Sequence, residues 1–204
     1  MIKEILNEFT ENCYIVNEKE EAYVIDPGTN YNDIKEYILE KNLVVKAVLL
    51  THGHFDHIYA LNKFLEDFDV DVYIHELERD FLFDPNLNLS SSTYSKFVLN
   101  KKSNVKTYID KDVFKLKYND IKVIHTPGHT RGSSCFTYKN FCFSGDTLFK
   151  GTIGRYDLPT SSKADITRSL AKMVKLLKDN TIIYPGHGQF TTMINEKFGN
   201  QYLK

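Results

Sequence analysis

Tryptophan is absent from this chain, and among its 204 residues cysteine and methionine each occur three times and proline five times. Cys13, Cys135 and Cys142 are odd in number and form no C-x-x-C pair. Neither a disulfide framework nor a zinc ribbon is indicated, and the cysteines read as small buried hydrophobes. No apolar run approaches the roughly 20 residues that cross a bilayer, and the start, Met1-Ile2-Lys3-Glu4, lacks the apolar region of a signal peptide. The expectation is a cytoplasmic protein with no membrane partner. An excess of charge is missing as well: 26 Lys and Arg stand against 27 Asp and Glu, with a pI near 6.7. Nucleic-acid binders carry a clearly basic face, so a small-molecule substrate fits this balance better. Short runs such as Glu18-Lys19-Glu20-Glu21 read as solvated turns rather than docking sites.

What is present is ordinary globular material, 42% hydrophobic and 26% charged, and the length suits one domain over residues 1–204. Cys13–Val16 and Ala22–Ile25 are short β-forming runs that suggest an antiparallel pair, ended by Asp26-Pro27-Gly28. Ile34, Tyr37 and Ile38 place an amphipathic helix over 32–41, and Val44–Leu50 reads as a buried central strand. Ile58, Leu61, Phe64, Leu65 and Phe68 form one apolar helical face, and Val70–Ile74 is a further strand. Residues 84–107 lose periodicity and read as a loop, partly helical near 94–99, which is either a lid or an inert surface excursion. Strands return at Ile121–Ile124, Ser134–Tyr138, Phe141–Phe143 and Thr181–Tyr184. Between the last two, Ser162 and Asp165 approximate a capping box ahead of a helix buried through Ile166, Leu170, Met173, Val174 and Leu177. Two strand-rich, helix-bearing halves suggest an α/β fold of two sheets with helices outside, four layers deep.

Thr51-His52-Gly53-His54-Phe55-Asp56-His57 packs three imidazoles and a carboxylate into six positions directly after an apolar strand. His129, Asp146 and His187 each follow a predicted strand and lie beside a glycine. Loops at one end of a sheet are where distant side chains converge on a ligand. Imidazole nitrogen with carboxylate oxygen suits zinc, iron or manganese, whereas magnesium and calcium prefer all-oxygen sites. His75 and His125 fall outside this pattern and read as structural. Asp26 is either an orienting carboxylate or a plain turn-former.

This set resembles the T-H-x-H-x-D-H signature of the metallo-β-lactamase superfamily with its later His, Asp and His. Ser144-Gly145-Asp146-Thr147-Leu148-Phe149, Ile153-Gly154-Arg155, Asp157-Leu158-Pro159 and Pro185-Gly186-His187-Gly188 resemble the small bacterial members related to glyoxalase II, the hydroxyacylglutathione hydrolases. The resemblance implies a four-layer αββα sandwich holding two divalent metal ions, zinc foremost. His52, His54 and His129 would bind one ion, Asp56, His57 and His187 the other, and Asp146 would bridge them. It also implies attack by a metal-activated hydroxide on a small acyl thioester such as S-lactoylglutathione, with Asp56 orienting the nucleophile and Arg155 meeting the substrate. The bridging position holds Asp146 and not cysteine, which argues against branches that place cysteine at a metal site.

Three rivals remain at this level. One iron held by His52, His129 and Asp146 would fit a persulfide dioxygenase-like enzyme of the same fold. A nuclease member is disfavoured by the balanced charge, and a non-catalytic metal-binding module by the complete donor set.

Overall fold

The short runs of β-branched and aromatic residues become strands that bury one or both faces, and the histidine cluster follows the end of one of them. The computed structural model describes residues 1–6, 11–28 and 30–204. Contacts divide the chain into two compact units, Met1–Tyr108 with Leu116–Tyr118 and Ile109–Lys115 with Asn119–Lys204.

The first unit is built on a mixed six-stranded sheet with strands in sequence order: β1 (Ile2–Leu6), β2 (Asn12–Glu18), β3 (Glu21–Ile25), β4 (Val44–Leu49), β5 (Asp71–His75) and β6 (Val105–Tyr108). The first three pair antiparallel, Tyr14 lying opposite Ile25, and β3 to β6 pair parallel. Parallel neighbours need crossovers, and these are helical: α1 (Tyr31–Glu40) joins β3 to β4, and α2 (Phe55–Ile58) with α3 (Leu61–Asp67) joins β4 to β5. Ile15, Val24 and Val48 of the sheet pack in one cluster with Ile34 and Ile38 of α1 and with Leu61 and Phe64 of α3. The apolar face expected as one helix from Ile58 to Phe68 is split, because the chain turns between Ile58 and Leu61. Both pieces still bury that face, so periodicity located the face but not the break.

The second unit carries a second six-stranded sheet, ordered β14-β13-β10-β9-β8-β7. Its strands are β7 (Val113–Lys115), β8 (Asp120–His125), β9 (Ser134–Tyr138), β10 (Phe141–Gly145), β13 (Ile182–Pro185) and β14 (Thr191–Thr192). A small hairpin, β11 (Leu148–Phe149) with β12 (Thr152–Ile153), projects beyond β10. Strands β10 and β13 are parallel and joined through α4 (Lys163–Leu176), whose Leu170 and Met173 pack on Cys135, Cys142 and Ile183. After β14 come α5 (Met193–Gly199) and a 3-10 turn at Gln201–Leu203. All three cysteines are buried and free, Cys135 and Cys142 within this core.

Several short elements escaped the sequence reading. β1, β7 and β14 are edge strands of two to five residues, too short for a periodic signal. Residues 94–99 form no helix; short 3-10 turns occur instead at Ser90–Ser92 and Lys102–Asn104, and β6 follows. No helix among the described residues is long and apolar enough to cross a membrane.

Half of the expected capping box forms: the Ser162 hydroxyl accepts the Asp165 amide at 3.2 Å, but the Ser162 N–H donates to Gly128 O at 2.8 Å where the box would have it meet the Asp165 carboxylate. Replacing Ser162→Ala removes the first bond alone and should cost about 1 kcal/mol, lowering Tm by roughly 2–4 °C. Ser162→Asp should keep most of the stability, and thermal unfolding of both variants with no change in Tm for alanine would refute the assignment.

Candidate metal centre

Each half of the donor set sits where a strand gives out. Residues 51–57 follow β4, Asp146 follows β10, and His187 follows β13, all at the carboxyl ends of parallel strands. His129 lies in the turn between β8 and β9, whose Gly128 adopts φ +139° and lies so close to the Ile166 backbone that a Cβ would approach Ile166 N to 2.2 Å. Glycine at 128 is therefore a steric requirement of that turn.

In the first unit, the ligand atoms of His52 and His54 lie within 4.8 Å of one another, as do those of His52 and His57 and those of Asp56 and His57. His52, His54 and His57 are buried, their rings packed edge-on or tilted at centroid separations of 4.8 and 4.2 Å from His52. In the second unit, Asp146 Oδ2 lies 3.4 Å from His129 Nε2 and 3.7 Å from His187 Nε2. Those separations are long for hydrogen bonds. They match instead the edge of a coordination tetrahedron, roughly 3.4 Å for donors about 2.0–2.1 Å from a zinc ion. A mixed set of imidazole nitrogens and carboxylate oxygens at this spacing fits a divalent metal.

The hydrogen bonds behind the rings settle which nitrogen is offered. Thr51 Oγ1 donates its single proton to Asp26 Oδ2 at 2.6 Å, so towards His52 Nδ1, 3.1 Å away, it can only accept. The His52 proton therefore sits on Nδ1 and the lone pair on Nε2. His57 Nδ1 lies 3.0 Å from the same Asp26 oxygen, and His129 Nδ1 lies 2.8 Å from the carbonyl of Arg155, both acceptors. In three of the five rings Nε2 is thus presented for coordination, the orienting role that partners behind metal ligands commonly play.

Asp26 is accordingly more than a turn-former. Its carboxylate takes the Thr51 amide at 2.7 Å, the Thr51 hydroxyl and the His57 ring, and it is held there in a left-handed conformation at φ 49°. Glu11 adds a second buried carboxylate, Oε1 lying 3.7 Å from His57 Nδ1, and burial beside these two acids pushes the Cys13 thiol well up. Glu11 carried no readable signal, because a glutamate near a strand start is normally solvent-facing. In the second unit Gly154 is the counterpart of Gly128: a Cβ there would lie 1.8 Å from the Asp146 carbonyl oxygen and 3.1 Å from His129 Nδ1. His75 and His125 do play structural parts, His75 accepting the Leu77 amide and His125 Nε2 lying 3.1 Å from Arg131 O. Arg155 is exposed and paired through two hydrogen bonds with Asp157, at 2.9 and 3.1 Å; this pairing lowers the Asp157 carboxyl below its usual range.

Asp26→Asn preserves size but replaces one acceptor oxygen by an amide that must face donors. The expected outcome is a 10–100-fold loss of zinc affinity, measured by chelator competition. Unchanged affinity would show that Asp26 serves the turn alone.

A sequence model of the Metallo-beta-lactamase superfamily matches residues 6–187. The chain is 37% identical to an uncharacterised protein of Mycobacterium tuberculosis, over 95% of this chain and 92% of that one. It is 34% identical to the probable metallo-hydrolase YqgX of Bacillus subtilis, covering 94% and 92%, and 32% identical to the hydroxyacylglutathione hydrolase GloC of Haemophilus influenzae, covering 96% and 93%. Among solved structures, the BLEG-1 B3 metallo-β-lactamase superposes with TM-score 0.92 at 33% identity over the whole of both chains. TTHA1623 in a di-iron-bound form gives 0.84 at 32%, covering 97% and 98%. ETHE1 from Myxococcus xanthus gives 0.78 at 23%, over 98% of this chain and 83% of that one, a likeness of fold alone. With its mixed α/β two-sheet fold and its histidine and aspartate donors, the chain belongs to the metallo-β-lactamase superfamily and is a metallo-hydrolase of that family.

Proposed function

We propose that the chain is a glyoxalase II-like thioester hydrolase that acts on S-lactoylglutathione or a related small acyl thioester, residues 1–204 working as one catalytic domain. The observation that carries this reading is the fixed presentation of Nε2 by His52, His57 and His129, beside carboxylates spaced for coordination. In the proposed assignment His52, His54 and His129 would hold one divalent ion, Asp56, His57 and His187 would hold the second, and Asp146 would serve both. Zinc is the first choice; iron and manganese accept the same donors.

Two such ions, when bound, supply a water acidic enough to attack at neutral pH and a Lewis acid for the developing oxyanion. The chain's own part is to place and orient. Asp56, half-buried next to His57, is assigned to accept a hydrogen from the attacking water and so aim its lone pair at the acyl carbon. No serine or cysteine nucleophile is needed, and the thiolate leaves without strong acid help. Arg155 is assigned to the anionic end of the substrate. Its bond to Asp157 is at the surface, where such pairs are weak, so a substrate carboxylate can take the place of Asp157. The relative named a hydroxyacylglutathione hydrolase supports the substrate class, as the probable metallo-hydrolase supports hydrolysis. A cytoplasmic setting is in keeping with three free, buried cysteines.

The persulfide dioxygenase reading uses one iron at His52, His129 and Asp146 and leaves His54, Asp56, His57 and His187 without a task. That surplus of donors favours the hydrolase.

The test is elemental analysis of protein purified without added metal, combined with thioester hydrolysis. About two metals per chain, with hydrolysis of S-lactoylglutathione abolished by chelation and lowered at least ~100-fold by His54→Ala, is the expected outcome. One iron per chain with oxygen uptake on glutathione persulfide and no hydrolysis would replace the hydrolase by the dioxygenase. Ring opening of a β-lactam in preference to the thioester would move the substrate class towards that of the B3 neighbour. For Arg155→Met, KM for S-lactoylglutathione should rise about tenfold with kcat nearly unchanged, the signature of lost ground-state binding.

A further inference from the structure

The segment after β5 raised the question of a lid, and its contacts answer a different one. Between the ligands of the first cluster lie two residues that ligate nothing, Gly53 and Phe55, and each has its backbone amide tied down by this segment. Gly53 N–H donates to Glu78 Oε2 at 2.8 Å, and Phe55 N–H donates to Asn88 O at 2.9 Å. Glu78 and Asn88 are fully buried. A carboxylate inside a protein is rare unless its oxygens are engaged, and here one oxygen meets the backbone of the histidine turn itself.

The same segment also shapes the turn sterically. A Cβ on Gly53 would stand 2.6 Å from the Phe81 Cβ, so the backbone between His52 and His54 lies directly against Phe81, whose ring is 6.3 Å from that of His54. Asn88 in turn holds the segment in shape. Its amide nitrogen donates to Phe81 O at 2.8 Å and Phe97 O at 3.2 Å, and its side-chain oxygen accepts Ser90 N–H at 3.0 Å. Ser90 Oγ accepts Phe97 N–H, Leu99 N–H reaches Leu82 O, and Phe97 and Leu99 are buried in the hydrophobic cluster. Residues 91–96 lie mainly at the surface, with Tyr94 fully exposed.

We propose that residues 76–99 are a brace for the metal-binding turn, with Glu78 and Asn88 as positioning residues that hold the amides between His52 and His54 and between His54 and Asp56. Alternate residues of the turn are pinned through their backbone, which leaves the intervening side chains set for coordination before any ion arrives. Coordination tolerates little misplacement, and rigid support behind the ligands is what limits it. The inference rests on the metal-binding reading above and adds the group that preorganises half of it.

The test is zinc affinity by chelator competition on the full chain, with apo and zinc-loaded melting temperatures and the amide exchange of Gly53 and Phe55 measured in parallel. Glu78→Leu and Asn88→Ala should each weaken zinc binding 10–100-fold, while Glu78→Gln, which keeps an acceptor oxygen, stays within about threefold of wild type. Tyr94→Ser should leave zinc affinity and KM unchanged. In the wild-type apo protein both amides should exchange slowly, and Gly53 should lose that protection in Glu78→Leu. A purely structural role would lower both melting temperatures equally and leave affinity per folded chain within twofold, which overturns the brace. A lid would raise KM in Tyr94→Ser without touching zinc affinity, which overturns it equally. Should Glu78→Leu not fold, Asn88→Ala with wild-type affinity is sufficient to refute the proposal. A wild-type chain that takes up no zinc, iron or manganese overturns the metal reading and the brace together, whereas normal wild-type uptake with unaffected variants overturns the brace alone.

Discussion

The proton on Nδ1 of His52, His57 and His129 is the constraint on which the rest of the candidate site depends. A neutral imidazole has one donor and one acceptor nitrogen, and a metal can use only the acceptor. Thr51, Asp26 and the Arg155 carbonyl place that proton away from the donor cluster. Asp26 does this for two rings at once, directly for His57 and through the Thr51 hydroxyl for His52. Its left-handed backbone is held in place by the non-local hydrogen bonds that its carboxylate takes from Thr51 and His57.

Around that constraint the fold arranges rigid strand ends and glycines that tolerate close approach. The parallel pairs β3 to β6 and β10 with β13 bring loops out at their carboxyl ends, where the turn 51–57, Asp146 and His187 begin. Gly53, Gly128 and Gly154 are each confined by atoms that no side chain could share, two of them by backbone. A loop so crowded loses little freedom when it binds an ion, which is the physical content of preorganisation.

How much of this could be read in advance differs by element. Strands β2, β3, β4 and β5 were legible because they alternate or run apolar over four or more positions, and α4 because Ser162 marks its start. The edge strands β1, β7 and β14 and the break between α2 and α3 were not, since short edges and chain turns leave no periodic trace. Residues 84–107 look like polar loop because Asn and Ser predominate, yet Asn88 and Ser90 are buried and spend their polarity on backbone groups that water no longer reaches.

By itself the sequence determined the chemistry available: three imidazoles and a carboxylate in six residues, with further histidines and an aspartate after later strands, are a donor set whatever the fold does. Residue type alone states which atoms can coordinate. Only the tertiary structure decided which ring nitrogen His52, His57 and His129 offer, that Asp26 and Glu11 stand behind His57, and that Glu78 reaches the amide of Gly53 from 25 residues along the chain. Such partners are chosen by proximity across strands and turns, and a buried glutamate carries no mark in the sequence to distinguish it from a solvated one.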